Sequence, residues 1–269
     1  MSDHSKAHNE TQDDSPLLLR DSTDGIVTIT LNRPGSYNVL SEEMLAELQG
    51  AVDGLEKSDR VLIIKALGKA FCAGHDLKQM RAHPEQRYYD KLFQTCSHFM
   101  NTLIGIEQPV IAEVQGIATA AGCQLVANCD LAVSSDQARF AVSGIDVGLF
   151  CSTPSVPLSR NVSRKRAFEM LMTGEFVDAH QAKDWGLVNN VVPHQALSSA
   201  TMELANKIKR KSAVAVATGK GLFYQQLEMP LADAYKLAGE TMACNMMSED
   251  AAEGIDAFKE KRSPVWRHK

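Results

Sequence analysis

The pattern that most constrains this chain is an alternation of short β-branched or apolar runs with longer amphipathic stretches. Ile26, Val27, Ile29 and Leu31 read as a strand over 25–31, and Asn32-Arg33-Pro34-Gly35 follows it with turn chemistry. Ser41 is placed to cap a helix, with Glu42 and Glu43 in its first turn. Behind it, Met44, Leu45, Leu48, Val52 and Leu55 recur at helical spacing. The spacing predicts a strand over 61–67, a helix over 85–106 with Leu92, Cys96, Phe99 and Leu103 inward, and a short buried strand over 110–114 ended by Gly116. The small residues of 118–122 then open a helix that carries Cys123, Leu125, Val126 and Ala127 inward, and small residues let backbone or ligand approach closely. Further strands are expected over 131–134 and 188–192, with helices over 163–172 and 195–209 and a largely helical segment over 231–262. Alternation of this kind favours an α/β core followed by a helical C-terminal part.

Composition narrows the function. At 269 residues, 44% apolar and 23% charged, the chain has length for a real core and is unlike a disordered one. A net charge of -5 argues against nucleic acid as partner, since phosphate binding needs clustered Lys and Arg. No membrane partner is expected either, because runs such as Val61-Leu62-Ile63-Ile64 end at Lys65, far short of a span. Cys72, Cys96, Cys123, Cys129, Cys151 and Cys244 show neither C-x-x-C nor paired spacing with histidine, so buried reduced thiols are expected rather than disulfides or a metal site. Residues 1–15 carry Asp3, Glu10, Asp13 and Asp14 and no apolar core, which reads as a disordered lead-in of a cytoplasmic protein.

The fingerprints G-x-G-x-x-G, G-x-x-x-x-G-K-[ST], H-E-x-x-H and G-x-S-x-G are absent, which weighs against dinucleotide redox, nucleotide hydrolysis, zinc proteolysis and the usual serine hydrolase elbow. Two glycine-containing turns after strands remain, Gly68-Lys69-Ala70-Phe71-Cys72-Ala73-Gly74-His75-Asp76-Leu77-Lys78 and Gln115-Gly116-Ile117-Ala118-Thr119-Ala120-Ala121-Gly122-Cys123-Gln124. Each offers backbone N–H groups where a strand gives way to a turn or helix start, and two such donors from separate loops form a hole for an oxyanion.

The first of these turns resembles the K-A-F-x-A-G-x-D-[IL]-K signature of the enoyl-CoA hydratase/isomerase (crotonase) superfamily. The segment 116–130 is similar to its G-x-x-x-G-G-G-x-[EQ]-L-x-x-x-C-D stretch. Leu31-Asn32-Arg33-Pro34 and Ala257-Phe258-Lys259-Glu260-Lys261-Arg262 match the opening and closing motifs. His75-Asp76-Leu77-Lys78, the 119–124 stretch and Gly148-Leu149-Phe150-Cys151-Ser152-Thr153-Pro154 resemble the domain-containing 3 subgroup of that superfamily. The resemblance implies a ClpP/crotonase-like α/β fold, a spiral of ββα units, with the acyl-CoA-binding core over 16–200 and a helical, trimerising region over 201–269. It implies an acyl-CoA thioester substrate, no other cofactor, and self-association as a homotrimer or dimer of trimers. The oxyanion-hole amides fall on His75 and Ala121. Arg33, Ala73, His75, Asp76, Leu77 and Lys78 fall along the CoA arm, and Lys261 reaches the site of an adjacent subunit.

The departures are as informative as the matches. The family's two catalytic glutamates, general acid and base for hydration, fall on Gln124 and Gly144, neither of which exchanges a proton. Asp146, two residues on, would share a face with Gly144 about 6.6 Å away in an extended segment, and is read equally as a substitute base or a structural carboxylate. The His75 ring is read both as a site imidazole and as filler beside its own amide. Cys151 and Ser152 are read as acyl contacts or small buried groups, and His98 as structural. The resulting expectation is an acyl-CoA-binding, hydratase-like lyase of acyl-CoA metabolism with weak hydration or none. A decarboxylase working through the same enolate and a non-catalytic acyl-CoA-binding regulator are the alternatives.

Overall fold

The computed structural model describes residues 15–269, so the lead-in expected over 1–15 lies, Ser15 apart, outside the described residues. In chain order the first half runs β1 (Leu18–Thr23), β2 (Ile26–Leu31), α1 (Glu42–Asp53), β3 (Val61–Ala66), β4 (Ala70–Cys72), α2 (Leu77–Ala82), α3 (Gln86–Gly105), β5 (Val110–Val114), β6 (Ile117–Thr119) and α4 (Ala121–Asn128). The second half runs β7 (Leu131–Ser135), β8 (Arg139–Ala141), α5 (Ser152–Asn161), α6 (Arg164–Thr173), β9 (Val177–Asp178), α7 (Ala179–Asp184), β10 (Asn190–Val192), α8 (Leu197–Lys209), α9 (Ala213–Leu227), α10 (Leu231–Asn245) and α11 (Glu249–Glu260).

The strands sort into a six-stranded sheet, β1-β2-β3-β5-β7-β10, and a four-stranded one, β4-β6-β8-β9. Three successive strand pairs, β3/β4, β5/β6 and β7/β8, each give their first strand to the large sheet and their second to the small one. All pairings among those six strands are parallel, while β1 on β2 and β9 on β8 are antiparallel. This is the spiral of ββα units that the motifs implied.

Why the central strands read as unbroken apolar runs is plain from the burial. Leu62 and Ile64 face the main core under α1, α3 and α4, while Val61 and Ile63 face a second cluster with Ile111, Val133, Leu197 and Ala205 under α8. A parallel strand covered on both faces has no solvent side to mark with polar residues. Strand 188–192 proves shorter than expected, since Asn190–Val192 alone pair with β7.

The helical part is tied to the core by one buried ion pair. Lys220 of α9 donates from Nζ to Asp130 Oδ2 (2.8 Å) and to the Leu103 and Gln108 carbonyls at 2.7 and 2.9 Å. Tyr224, one turn on, donates to Asp130 Oδ1 at 2.7 Å, and the Val110 amide donates to Oδ2 at 2.6 Å. Further on, the carboxylate of buried Asp250 accepts the Arg267 and His268 amides, and Trp266 Nε1 donates to the Arg210 carbonyl. No helix among the described residues is long and apolar enough to cross a membrane.

Candidate active site

Two loops at the ends of neighbouring small-sheet strands build the site. The end of β4 and the start of α4 lie so close that a Cβ on Gly122 would stand 2.0 Å from the Cys72 carbonyl oxygen, so only glycine fits there. One residue before α4, Ala120 holds φ 48° and ψ −120°, a conformation that favours glycine and strains an alanine. That turn leaves the Ala121 amide at the first helical position, where an N–H has no intrahelical acceptor. Across the gap, Asp76 caps α2 by accepting the Lys78 and Gln79 amides, which fixes the backbone on which His75 sits. Neither the His75 nor the Ala121 amide donates to any acceptor among the described residues.

Both residues line a cavity of about 350 Å³. Its walls come from Ala73, Leu77, Met80 and Phe93 on one side and from Ser143, Gly144, Val147, Leu149, Phe150, Cys151, Ser152, Thr153 and Pro154 on the other. The wall contains no Lys, Arg, Asp or Glu. The His75 imidazole stands edge-on to Phe93, with ring centroids 5.5 Å apart. Its Nδ1 lies 3.3 Å from the Leu40 carbonyl, and its Nε2 is buried with no hydrogen-bond partner among the described residues. Burial lowers the imidazole pKa below its ordinary 6.5, and the Leu40 contact opposes this only in part. A second cavity, about 480 Å³ between α9, α11 and Trp266, is lined by Phe258 and Lys259 of the closing motif but by none of the candidate site residues.

The structure brings Ala73, His75, Leu77, Ala121 and Gly144 into one wall. Gln124 sits one turn into α4, buried and not part of that wall, with its side-chain oxygen unpartnered among the described residues. At Gly144 a Cβ would lie 2.7 Å from both the Cys151 sulfur and the Leu149 carbonyl oxygen. The Cys151 Sγ accepts the Gly144 amide at 3.3 Å, and burial raises the thiol pKa, so it acts as a small filler. No side chain of any kind fits at 144.

Asp146 requires a correction. Residues Ser143–Val147 form a single 3-10 turn, not an extended segment, so Asp146 does not share the face of Gly144. It is absent from the cavity wall, and its carboxylate lies against Gly174 at the end of α6, within 2.8 Å of where a Cβ there would stand. The residue is exposed, so this geometry gives the substitute-base reading no support. His98 is corrected too, lying exposed on α3.

The remaining residues lie outside the cavity wall. Arg33 donates to the Ser15, Pro16 and Asn32 carbonyls, Lys78 lies exposed in the first turn of α2, and Lys261 ends α11 in a left-handed conformation. Met80, Phe93 and Val147 were not singled out from the sequence. On α3 the helical period marks Leu92, Cys96 and Phe99 as the inward stripe, and Phe93 stands one position off it. The repeated apolar residues Val147, Leu149 and Phe150, exposed on a loop, were the available signal.

Comparison with known proteins bears on this arrangement. The family model described as enoyl-CoA hydratase/isomerase matches residues 21–269. The Xenopus laevis protein "Enoyl-CoA hydratase domain-containing protein 3, mitochondrial" is 48% identical over 258 residues, covering 94% of this chain and 87% of its own. Among solved structures, an enoyl-CoA hydratase of Mycobacterium smegmatis superposes with a TM-score of 0.92 at 58% identity, covering 94% of this chain and 99% of its own. The human enoyl-CoA hydratase domain-containing protein 3 gives a TM-score of 0.91 at 45% identity, with 93% and 100% covered. The Xenopus, mouse and human relatives are all named mitochondrial, which overturns the cytoplasmic expectation. Acidic residues in 15 positions are a weak carrier of a cellular address.

Proposed function

The chain belongs to the enoyl-CoA hydratase/isomerase family, within its domain-containing 3 subgroup, and from that premise we propose that the cavity binds an acyl-CoA thioester and polarises its carbonyl between the His75 and Ala121 amides. The observation that carries this reading is the pair of acceptor-free amides flanking an otherwise apolar chamber. Enolisation moves charge onto the thioester oxygen. Two amides already held in place stabilise that charge without reorganisation, and each such donor is typically worth about 10²–10³ in rate.

Hydration is a different matter. Adding water across a double bond needs a group to take the proton of water and another to deliver one to carbon. The cavity wall offers no carboxylate for either task, and Gly144 has no room for one. Loss of general acid–base assistance costs typically ~10²–10⁴-fold per group. Acyl groups bearing a second carboxylate are disfavoured as well, because the wall has no cation to pair with one. This weighs against the decarboxylase alternative.

Lys78 and Lys261 are the proposed cations for the CoA phosphates, Lys261 from an adjacent subunit of a trimer or hexamer. Leu231, Tyr235 and Met242 of α10 are each more than 70% exposed, an apolar surface that a second copy would cover. The test of the site reading is calorimetric titration with butyryl-CoA beside a crotonyl-CoA hydration assay. Binding with hydration very slow or undetectable is expected. Turnover on the order of 10² s⁻¹, an ordinary enzyme rate, would refute the assignment.

A further inference from the structure

We infer that the His75 imidazole, acting through Nε2, is the base of this site and carries a proton to and from the α-carbon of a neutral acyl thioester. The inference rests on the reading of the cavity as a thioester site, and assigns to it a reacting side chain that the family glutamates do not supply here.

The tautomer follows from the contacts. A carbonyl oxygen only accepts, so the 3.3 Å approach of Nδ1 to the Leu40 carbonyl places the ring proton on Nδ1. The lone pair is then on Nε2, which is buried and has no hydrogen-bond partner among the described residues, on a side chain whose residue lines the cavity. Buried polar atoms are rarely left without a partner, and those that are call for an explanation. The remaining polar side chains of the wall are the hydroxyls of Ser143, Ser152 and Thr153, which are not bases near neutral pH, and the Cys151 thiol, whose deprotonation burial opposes. His75 is the one ring in the wall that is basic near neutral pH.

Placement makes the base useful. The imidazole and one of the two oxyanion amides belong to the same residue, so the ring is tethered beside the bound carbonyl and its adjacent carbon. Nε2 takes the α-hydrogen as a proton. The C–H electron pair becomes the carbon–carbon π bond of the enolate, and the negative charge moves to the thioester oxygen between the two amides. Return of the proton from Nε2–H to carbon restores the thioester and the neutral ring, with no other reactant consumed. A substrate carboxylate would meet a lone pair instead of a donor at this point, so the substrate is an acyl group without one.

Apart from the Leu40 carbonyl, no contact of the ring favours its protonation. Asp76, on the same loop, is committed to the Lys78 and Gln79 amides. On α3, which supplies Phe93, Tyr89 donates to the Met80 carbonyl and Asp90 accepts from Gln86. Cys151, on the opposite wall, stays a neutral thiol. None of these supplies a charge that would hold an imidazolium, and burial disfavours it.

The experiment follows α-hydrogen exchange of butyryl-CoA in D₂O by NMR, with calorimetric binding of the same thioester alongside, for the unaltered chain, His75→Gln and His75→Ala. The backbone amide survives in both variants, so binding within a few-fold of the parent is expected while exchange falls by about 10²-fold or more. In the parent, the exchange rate should be flat above the ordinary imidazole pKa of 6.5 and fall as acid protonates Nε2 below it. Equal exchange in His75→Ala and parent would overturn the inference, as would a rate that continues to rise with pH above 6.5. The parent profile stands as a test even where a variant folds poorly. Binding by the parent without exchange would sink this inference and leave the proposed site standing. Failure of the parent to bind butyryl-CoA would sink the site reading itself.

Discussion

At the scale of single residues, Ala120 is where backbone geometry and function meet. Its positive φ aims the Ala121 amide, and a non-glycine residue in such a region costs on the order of 1–3 kcal/mol. Glycine would remove that strain and give back about 0.4–1 kcal/mol through the freer unfolded chain. Ala120→Gly is therefore expected to stabilise the protein by about 1 kcal/mol, read as a higher urea midpoint with an unchanged slope. An unchanged or lower midpoint would mean that the turn is not strained in solution. The two glycine turns were legible in the sequence because they are contiguous motifs. The unpartnered Nε2 of His75 was not, because it depends on Leu40 and Phe93, which approach from elsewhere in the chain.

At the scale of elements, α9 shows what periodicity misses. Its sequence, Ala213-Val214-Ala215-Val216-Ala217-Thr218-Gly219-Lys220-Gly221, has small and apolar residues on all sides and no stripe to mark a helix. What fixes it is Lys220 against Asp130, a contact 90 residues apart in the chain. Burial pulls the Lys220 pKa down, and the Asp130 carboxylate works against that to keep the ammonium charged. Removing the acid strands a buried cation, so Asp130→Ala should lose about 3–5 kcal/mol in denaturant titration. A loss under 1 kcal/mol would show that water reaches Lys220. The three-residue strands β4, β6 and β8 escaped notice because they are too short to show a period, and α5 because Pro154 and Pro157 mask it. The strands β2, β3, β5 and β7 and the helices α1, α3, α4, α6 and α8 were readable, since each carries enough buried positions to display its own spacing.

At the scale of the whole molecule, the exposed apolar residues of the C-terminal helices and the proposed polyanionic ligand on a chain of net charge -5 both call for a neighbour. Sedimentation is expected to return a trimer or hexamer, and a monomer would refute the assembly. Deleting 257–269 would also take the Arg267 and His268 amides from buried Asp250 and unsettle α11. Lys261→Ala is the cleaner probe, and it should weaken CoA binding several-fold at low salt and less at high salt. Equal affinity at both salt levels would exclude Lys261 from the phosphate site. The packing about Gly144 also sets the order in which substitutions can accumulate. With the Cys151 sulfur and the Leu149 carbonyl where a side chain would begin, a glutamate gained at 144 meets a collision before it can hold water. Residue 151 has to shrink and its loop reshape first, with no gain in hydration at that step. On the proposed reading, a site in this state is held away from water addition by a path-dependent barrier, even where a single amino-acid exchange would spell the missing acid.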